Sequence, residues 1–124
     1  MTSAISLDKR IPKEDTRLLK PEQYEKVFQS PNIKQGNKYL LCLAHGTTLP
    51  YPRLGLVVAK KKIPLAVNRN RFKRLAREHF RKHFSQLPPM DLIVLARRDI
   101  SGLSRLEQNK IFSQVFEKLE SHGK

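Results

Sequence analysis

The fold is decided by the segment between residues 53 and 96, which reads RLGLVVAKKKIPLAVNRNRFKRLAREHFRKHFSQLPPMDLIVLA. Residues 53–60 are apolar enough to predict a strand buried on at least one face. Residues 91–96 have the same character and predict a second buried strand. An amphipathic helix, from about residue 68 to residue 84, separates them. Strand, helix and strand in succession predict a βαβ crossover within an α+β fold, an α/β sandwich with helices over a small sheet.

The helix over residues 68–84 has two chemically different halves at its spacing of about 100° per residue. One half is suited to packing on a sheet and comprises Phe72, Leu75, Ala76, His79, Phe80, His83 and Phe84. The other half comprises Asn70, Arg71, Lys73, Arg74, Arg77, Glu78, Arg81 and Lys82. This division predicts that one side docks in the protein and the other meets negative charge.

The flanking segments predict two further helices and more strands. A helix begins at Pro21, a residue suited to the first helical position, and ends near Gln29 with Tyr24, Val27 and Phe28 on one face. Residues 38–44 predict a strand, and a short extra strand is possible around Pro64. A last helix over about residues 103–120 directs Leu106, Val115, Phe116 and Leu119 to the core. We therefore expect three helices packed with a roughly four-stranded mixed sheet.

The domain organisation expected from 124 residues is a single domain. Residues 17–124 form that α/β domain, and residues 1–16 form a flexible basic arm with little apolar content. No apolar stretch reaches the ~20 residues that span a bilayer. The N-terminus lacks the apolar run of a secretory signal, and the single cysteine, Cys42, fits a reducing cytoplasm as a small buried hydrophobe.

Positive charge is concentrated around the central helix. The chain carries 25 Lys and Arg against 11 Asp and Glu, a formal charge of +14. There is no Asp or Glu between Lys26 and Arg77, although acids at i+4 would relieve the repulsion on a helix that needed only to be soluble. An external polyanion is therefore expected to relieve it, and nucleic acid suits this role better than a membrane surface.

The sequence offers no convincing active site in the protein itself. The basic region lacks a carboxylate that could hold a metal or act as an acid or base. His79 and His83 have the i, i+4 spacing of a zinc pair but no nearby third ligand, and they lie on the apolar half of the helix. We interpret them as partly buried structural histidines.

Four ordered blocks resemble the protein component of bacterial ribonuclease P. The string AVNRNRFKRLARE, residues 66–78, is similar to the Arg-Asn-Arg signature helix of that family. Residues 55–61 (GLVVAKK) resemble the strand before the signature, and residues 91–97 (DLIVLAR) resemble a later strand. Arg17 and Leu18, with Tyr24, Val27 and Phe28, are similar to the N-terminal helix region. The resemblance covers about residues 12–119.

The resemblance implies a left-handed βαβ crossover and a catalytic RNA partner. The protein would assist that RNA in the endonucleolytic removal of the 5′ leader from precursor tRNA, by binding the leader and stabilising the RNA. The catalysis, with Mg²⁺ that activates water, would belong to the RNA subunit. The RNA contacts implied are Arg69, Asn70, Arg71, Lys73, Arg74 and Arg77. The leader groove implied is formed by Tyr24, Phe28, Lys61 and Arg17, and a metal contact at Asn70 is possible.

Two departures and several alternatives accompany this interpretation. The loop over residues 60–65 lacks the glycine common just before the family's signature and is one residue longer. Cys42 falls where the family often has a further groove aromatic, and strand alternation directs Tyr39 to the opposite face. Asn70 could instead cap the helix, and Tyr24 and Phe28 could simply pack in the core. A ribosomal or general structural RNA-binding protein would have the same composition. A sequence-specific DNA-binding protein is disfavoured because the basic helix is a crossover helix, and a protein-only nuclease is disfavoured by the missing carboxylates.

Overall fold

The structure, a computed structural model, describes residues 16–122. Three α-helices and four strands account for most of this region. In chain order they are α1 (Pro21–Gln29), β1 (Ile33–Gly36), β2 (Leu40–Gly46), β3 (Arg53–Val57), α2 (Ala66–His83), β4 (Met90–Ala96) and α3 (Arg105–Ser121), with a short 3₁₀ turn (Phe84–Gln86) after α2. Most of the predicted arm, residues 1–15, lies outside the described residues.

The four strands form one mixed sheet in the order β1-β2-β4-β3. The pairs β1–β2 and β2–β4 are antiparallel, whereas β3 and β4 are parallel, with Arg53 opposite Asp91 and Val57 opposite Leu95. Because parallel neighbours need a crossover connection, α2 carries the chain from the end of β3 back to the start of β4. The predicted α+β fold with its βαβ unit is confirmed.

Helices cover both faces of the sheet, so that the two helices with functional predictions lie on opposite sides. On one face, Val27 of α1 packs with Leu18, Leu43 and Ile93 in a small cluster. On the other face, α2 and α3 pack together over the larger core, where the rings of Phe72 and Phe112 meet edge to face at 5.1 Å between centroids. This second cluster contains the hydrophobic residues of the predicted apolar half of α2, with Leu75 only partly buried. The two histidines of that half stack on phenylalanine rings of α3.

Three details of the sequence prediction are wrong. The fourth strand is β1, not a strand near Pro64; residues 59–63 form a turn in which the amides of Lys62 and Ile63 donate to the carbonyl of Ala59. The strand predicted over residues 53–60 accordingly ends at Val57. Leu106 is 71% exposed, because nine residues separate it from buried Val115, and nine steps of about 100° place the two on opposite sides of α3.

The edge strand β1 was less predictable than the other strands. It is four residues long, so it carries little periodic signal. The adjacent Gly36 and Asn37 were the available sign of a hairpin, since the Asn37 side chain accepts hydrogen bonds from the amides of Tyr39 and Leu40.

None of the helices within residues 16–122 combines the length and the apolar character that crossing a bilayer requires.

Candidate nucleic-acid interface

The outer side of α2 is a continuous positively charged surface. We call it the basic face, and it comprises Asn70, Arg71, Lys73, Arg74, Arg77, Arg81 and Lys82. All are exposed except Lys73, which is half-buried. The first turn of α2 contains no acidic residue, and within residues 16–122 no carboxylate pairs with any of these cations. The charge repulsion predicted from the sequence is therefore not relieved inside the described part of the protein.

Arg69 differs from its neighbours because part of its guanidinium is already engaged. Its Nη1 donates to the carbonyl of Ile63 at 3.0 Å and to that of Pro64 at 2.7 Å. These bonds tie the turn before α2 to the helix, and Ile63 itself is fully buried. A guanidinium has five N–H donors, so the Nε and Nη2 groups remain for an external acceptor. Arg69 thus has a structural role that the sequence did not reveal.

Asn70 does not cap the helix. The N-cap position is Leu65, which makes no side-chain capping bond, so Asn70 is the fifth helical residue and is exposed. Its carboxamide is free of protein partners among the described residues. It is therefore available to an external ligand.

The inner side of α2 uses its two histidines for packing. His79 Nε2 donates to Asn109 Oδ1 at 3.0 Å, and His83 Nδ1 pairs with the carboxylate of Glu120. The His79 ring stacks on Phe112, with 5.6 Å between centroids. Burial is the main cause of a lowered pKa at His79. Both histidines are buried, as the sequence interpretation required.

Tyr24 joins α1 to the edge strand β3. Its hydroxyl accepts a hydrogen bond from the amide of Leu56 at 3.3 Å. A Cβ built on Gly55 would approach its ring within 2.7 Å, so the ring lies directly on the glycine backbone. Just before it along the same edge, the amide of Leu18 donates to the carbonyl of Leu54, which forms a parallel bridge between Arg17 and Leu54. The Tyr24 side chain therefore positions α1 against β3. It also borders the part of this sheet face that α1 does not cover.

An apolar strip lies on the α1 face of the sheet. Leu41, Leu95 and Val57 are register partners across β2, β4 and β3, and all three are only partly buried against the α1 cluster. We call the strip and its borders the groove. Phe28, on α1, is 44% exposed, and Lys61 is exposed in the turn that follows β3. Of the four sequence-predicted groove residues, Tyr24 contacts β3 and Arg17 lies at its outer edge, whereas Phe28 and Lys61 are exposed on α1 and after β3. That the four form one groove stays a prediction.

Cys42 does not belong to the groove. It is fully buried in the cluster on the opposite face, under α2 and α3, and burial raises the pKa of its thiol. The β2 residues on the groove side of the sheet are Leu41 and Leu43. The prediction that Cys42 stands in place of a groove aromatic is therefore wrong. Tyr39 precedes β2 and packs against the cluster that contains Cys42, so strand alternation does not apply to it.

Sequence reasoning missed Arg97 as a neighbour of this region. It directly follows β4, two residues beyond Leu95, and its Nη1 donates to the carbonyl of Asn37 in the β1–β2 turn. The side chain is exposed beyond that bond. The available signal was a cation at the carboxyl end of a buried strand, where loop residues commonly bind ligands.

A polar cleft runs along α1, lined by residues from Glu22 to Gln29 of that helix. It has a volume of about 550 Å³ and is lined by residues that include Glu22, Glu25, Lys26 and His45. Asp91 and Arg53 form its floor, joined by two hydrogen bonds of 2.8 Å. The hydrogen bond to Asp91 is the main cause of a raised pKa at Arg53. This cleft contains none of the sequence-predicted site residues.

Known proteins resemble this chain over most of its length. The sequence profile of the family described as Ribonuclease P matches residues 12–120. The Ribonuclease P protein component of Vibrio campbellii is 45% identical over 105 residues, which are 85% of this chain and 88% of the relative. That of Azotobacter vinelandii is 42% identical over 105 residues, 85% of this chain and 81% of the relative.

Solved structures give the same result at the level of the fold. The RNase P protein of Staphylococcus aureus superposes with a TM-score of 0.75 at 26% identity, over 83% of this chain and 94% of that one. The Thermotoga maritima RNase P protein, solved with 1-(4-fluorophenyl)-2-thiourea, has a TM-score of 0.65 at 31% identity, over 86% and 96% of the two chains. Sequence and structure together show that this chain belongs to the family of ribonuclease P protein components, the RNA-binding protein partners in a tRNA-processing ribonucleoprotein.

Proposed function

We propose that this protein assists a catalytic RNA in the endonucleolytic removal of the 5′ leader from precursor tRNA. The observation that carries the proposal is the basic face of α2, which is exposed and has no carboxylate partner within residues 16–122. Arginine predominates there, and its planar fork can bind two phosphate oxygens at once. The basic face would bind the catalytic RNA through Arg71, Lys73, Arg74 and Arg77, with Asn70 and the remaining donors of Arg69.

The groove would bind the single-stranded leader. Its apolar strip (Leu41, Val57 and Leu95) and the exposed ring of Phe28 can contact base faces without regard to sequence, whereas Lys61 and Arg97 can contact phosphates. Tyr24 is already held by Leu56 and Gly55, so we assign it chiefly to positioning α1 beside the strip.

The two surfaces lie on opposite faces of the sheet, which suits simultaneous binding of two RNA segments. The groove includes part of β3. The turn after β3, which contains Lys60, Lys61 and Lys62, leads to the start of α2. Both RNAs could therefore meet the protein near this turn without competing for the same side chains. Their separation explains how one small domain can bring a leader to a larger RNA.

We assign the chemistry to the RNA subunit, including the Mg²⁺ ions that activate water. Among the described residues, no three His, Cys, Asp or Glu side chains gather as metal ligands. Asn70 offers one neutral carboxamide oxygen, which is sufficient to contact a hydrated ion that RNA phosphates hold but is a poor site alone. The protein would act by binding and by lowering the Mg²⁺ concentration that the RNA needs.

The test is cleavage of a 5′-leader precursor tRNA by the host's ribonuclease P RNA at low Mg²⁺, with and without the protein. We expect the protein to restore cleavage at the mature 5′ end, and the Arg71→Ala/Arg74→Ala variant to lose this effect. Protein alone with Mg²⁺ should leave the substrate intact. Tight RNA binding without any effect on cleavage would contradict the proposal and favour a ribosomal or general RNA-binding role.

A further inference from the structure

The start of α2 exposes apolar side chains within the positively charged region. Five large hydrophobic side chains are exposed among residues 16–122, and two of them, Leu65 and Val67, lie at this helix terminus. Their exposed fractions are 61% and 70%. Val67 shares a helix face with Asn70, Arg71 and Arg74, at spacings of three, four and seven residues. The start of α2 therefore has two exposed apolar residues, Leu65 at the N-cap and Val67 on the basic face, which together we call the apolar patch.

Neither residue is the choice that helix stability alone would favour. Leu65 occupies the N-cap, where Ser, Thr, Asp or Asn would accept a bond from a free helix amide, and it makes no capping bond. Val67 is β-branched and exposed, so it weakens the helix and gains no burial in the protein. At both positions solubility and helix formation favour another residue. A surface that binds a partner accounts for both.

The surrounding charge determines what the partner is. Lys61 and Lys62 precede the patch, Arg71 and Arg74 follow it, and no acidic residue occurs between Lys26 and Arg77. An apolar protein segment would gain nothing from these cations, whereas RNA phosphates would. RNA offers apolar area mainly on the faces of unpaired bases, because in a duplex the bases are stacked and only their edges face the grooves.

We propose that Leu65 and Val67 each contact the face of an unpaired base in the partner RNA, while the basic face binds the neighbouring phosphates. The inference rests on the proposed function, since it takes the ribonuclease P RNA as the partner, and it adds a non-electrostatic contact to that interface. Such a contact would fix where α2 sits along the RNA, which phosphate contacts alone do not specify.

The test uses a Leu65→Ser/Val67→Thr variant of the full chain and the host's ribonuclease P RNA. Serine at the N-cap can cap α2, so we expect thermal stability to be maintained or raised while RNA affinity falls about tenfold, as expected for the loss of one or two buried apolar side chains. The slope of log affinity against log salt should not change, because the variant keeps every cation that meets a phosphate. Leu106→Ser is the matched control, since Leu106 is 71% exposed on α3 and should leave affinity unchanged.

Chemical probing identifies the base, with dimethyl sulfate for adenine and cytosine and a carbodiimide for guanine and uracil. We expect at least one unpaired base to be protected by the wild-type protein and by the Leu106→Ser variant, and to become reactive with the double variant. Unchanged affinity of the double variant, an equal loss with Leu106→Ser, or a loss with no change in base reactivity would each overturn the inference. If the wild-type protein itself fails to bind this RNA, the proposed function falls as well, so the two failures are distinguishable.

Discussion

The aromatic ring of Tyr24 lies against the backbone of Gly55, and a Cβ at that glycine would be 2.7 Å from the ring atom Cε2. The phenol hydroxyl accepts a hydrogen bond from the amide of the next residue, Leu56, so the ring cannot withdraw without losing that bond. Gly55 is therefore required by the close approach of a side chain from α1. This one contact connects the position of α1 to the edge strand of the sheet and so sets the width of the groove.

We expect Gly55→Ala to displace Tyr24 and to destabilise the protein by about 1–3 kcal/mol, the usual cost of overpacking. Leader affinity should fall as the groove changes shape, whereas affinity for the catalytic RNA should remain, because α2 lies on the other face of the sheet. Urea denaturation and binding of a leader-containing precursor tRNA by the holoenzyme would measure the two effects. Gly102→Ala is the control, since no atom lies within 4 Å of a Cβ there.

The ion pair between Arg53 and Asp91 is the basis of a second prediction. The Asp91 side chain is only 6% exposed, and the two hydrogen bonds from Arg53 are its compensation for burial. Arg53→Met should leave a buried, unpaired carboxylate and lower the free energy of unfolding by about 3 kcal/mol. The double variant Arg53→Met/Asp91→Leu should recover most of that loss. A single variant as stable as the wild type in urea would show that the pair is not needed.

Arg69 and Arg71 should respond differently to removal of their side chains. Arg71 is exposed and has no partner in the described region, so Arg71→Ala should leave stability unchanged and reduce the salt slope of RNA binding by about 0.7–0.9 for each phosphate that the side chain neutralises. Arg69→Ala also removes the bonds to the carbonyls of Ile63 and Pro64, and it should lower the thermal midpoint as well. Binding isotherms at several salt concentrations, together with thermal melts, separate the two. Equal melting of the two variants would refute the structural role of Arg69.

The sequence predicted the elements whose pattern is local and strong. The helix over Pro21–Gln29, the strands on either side of α2 and the basic face itself follow from periodicity and charge within single segments. β1 was missed because four residues at a sheet edge carry no period, and its strand is set by pairing with β2 and by the Asn37 turn. The prediction that Leu106 faces the core was wrong. An apolar residue in the first turn of a helix need not lie on its buried side, and Leu106 lies on the exposed side of α3.

The candidate site was predictable in its residue types but not in its geometry. The string from Asn68 to Arg77 was sufficient to predict an anion-binding surface. Arg69 donates hydrogen bonds to the turn that precedes α2, and Cys42 lies on the face of the sheet away from α1. Both facts depend on the tertiary structure and have no local sequence signal. The apolar strip of Leu41, Val57 and Leu95 depends on strand order, because the sheet order β2-β4-β3 differs from the order of these strands in the chain.

The last prediction concerns the pH dependence of stability. Burial lowers the pKa of His79 below its ordinary value of 6.5, helped by the nearby charges of His83 and Lys82 and opposed by Asn109 and Glu78. A depressed folded-state pKa means that the unfolded chain takes up the proton first. The stabilising contribution is therefore complete above about pH 6.5 and is lost as the pH falls from there through the folded-state value.

We expect the free energy of unfolding of the wild type to decrease between about pH 7.5 and about pH 5.5, and His79→Gln to show a smaller decrease. The glutamine amide can still donate to Asn109, whose Oδ1 accepts from His79 in the wild type, but it cannot take up a proton. The His83–Glu120 pair is present in both proteins, so its contribution largely cancels in the difference. Urea denaturation at the two pH values gives that difference. Identical pH dependence in the two proteins would show that the pKa of His79 is the same in the folded and unfolded states, which its burial beside Phe112 and Phe116 does not predict.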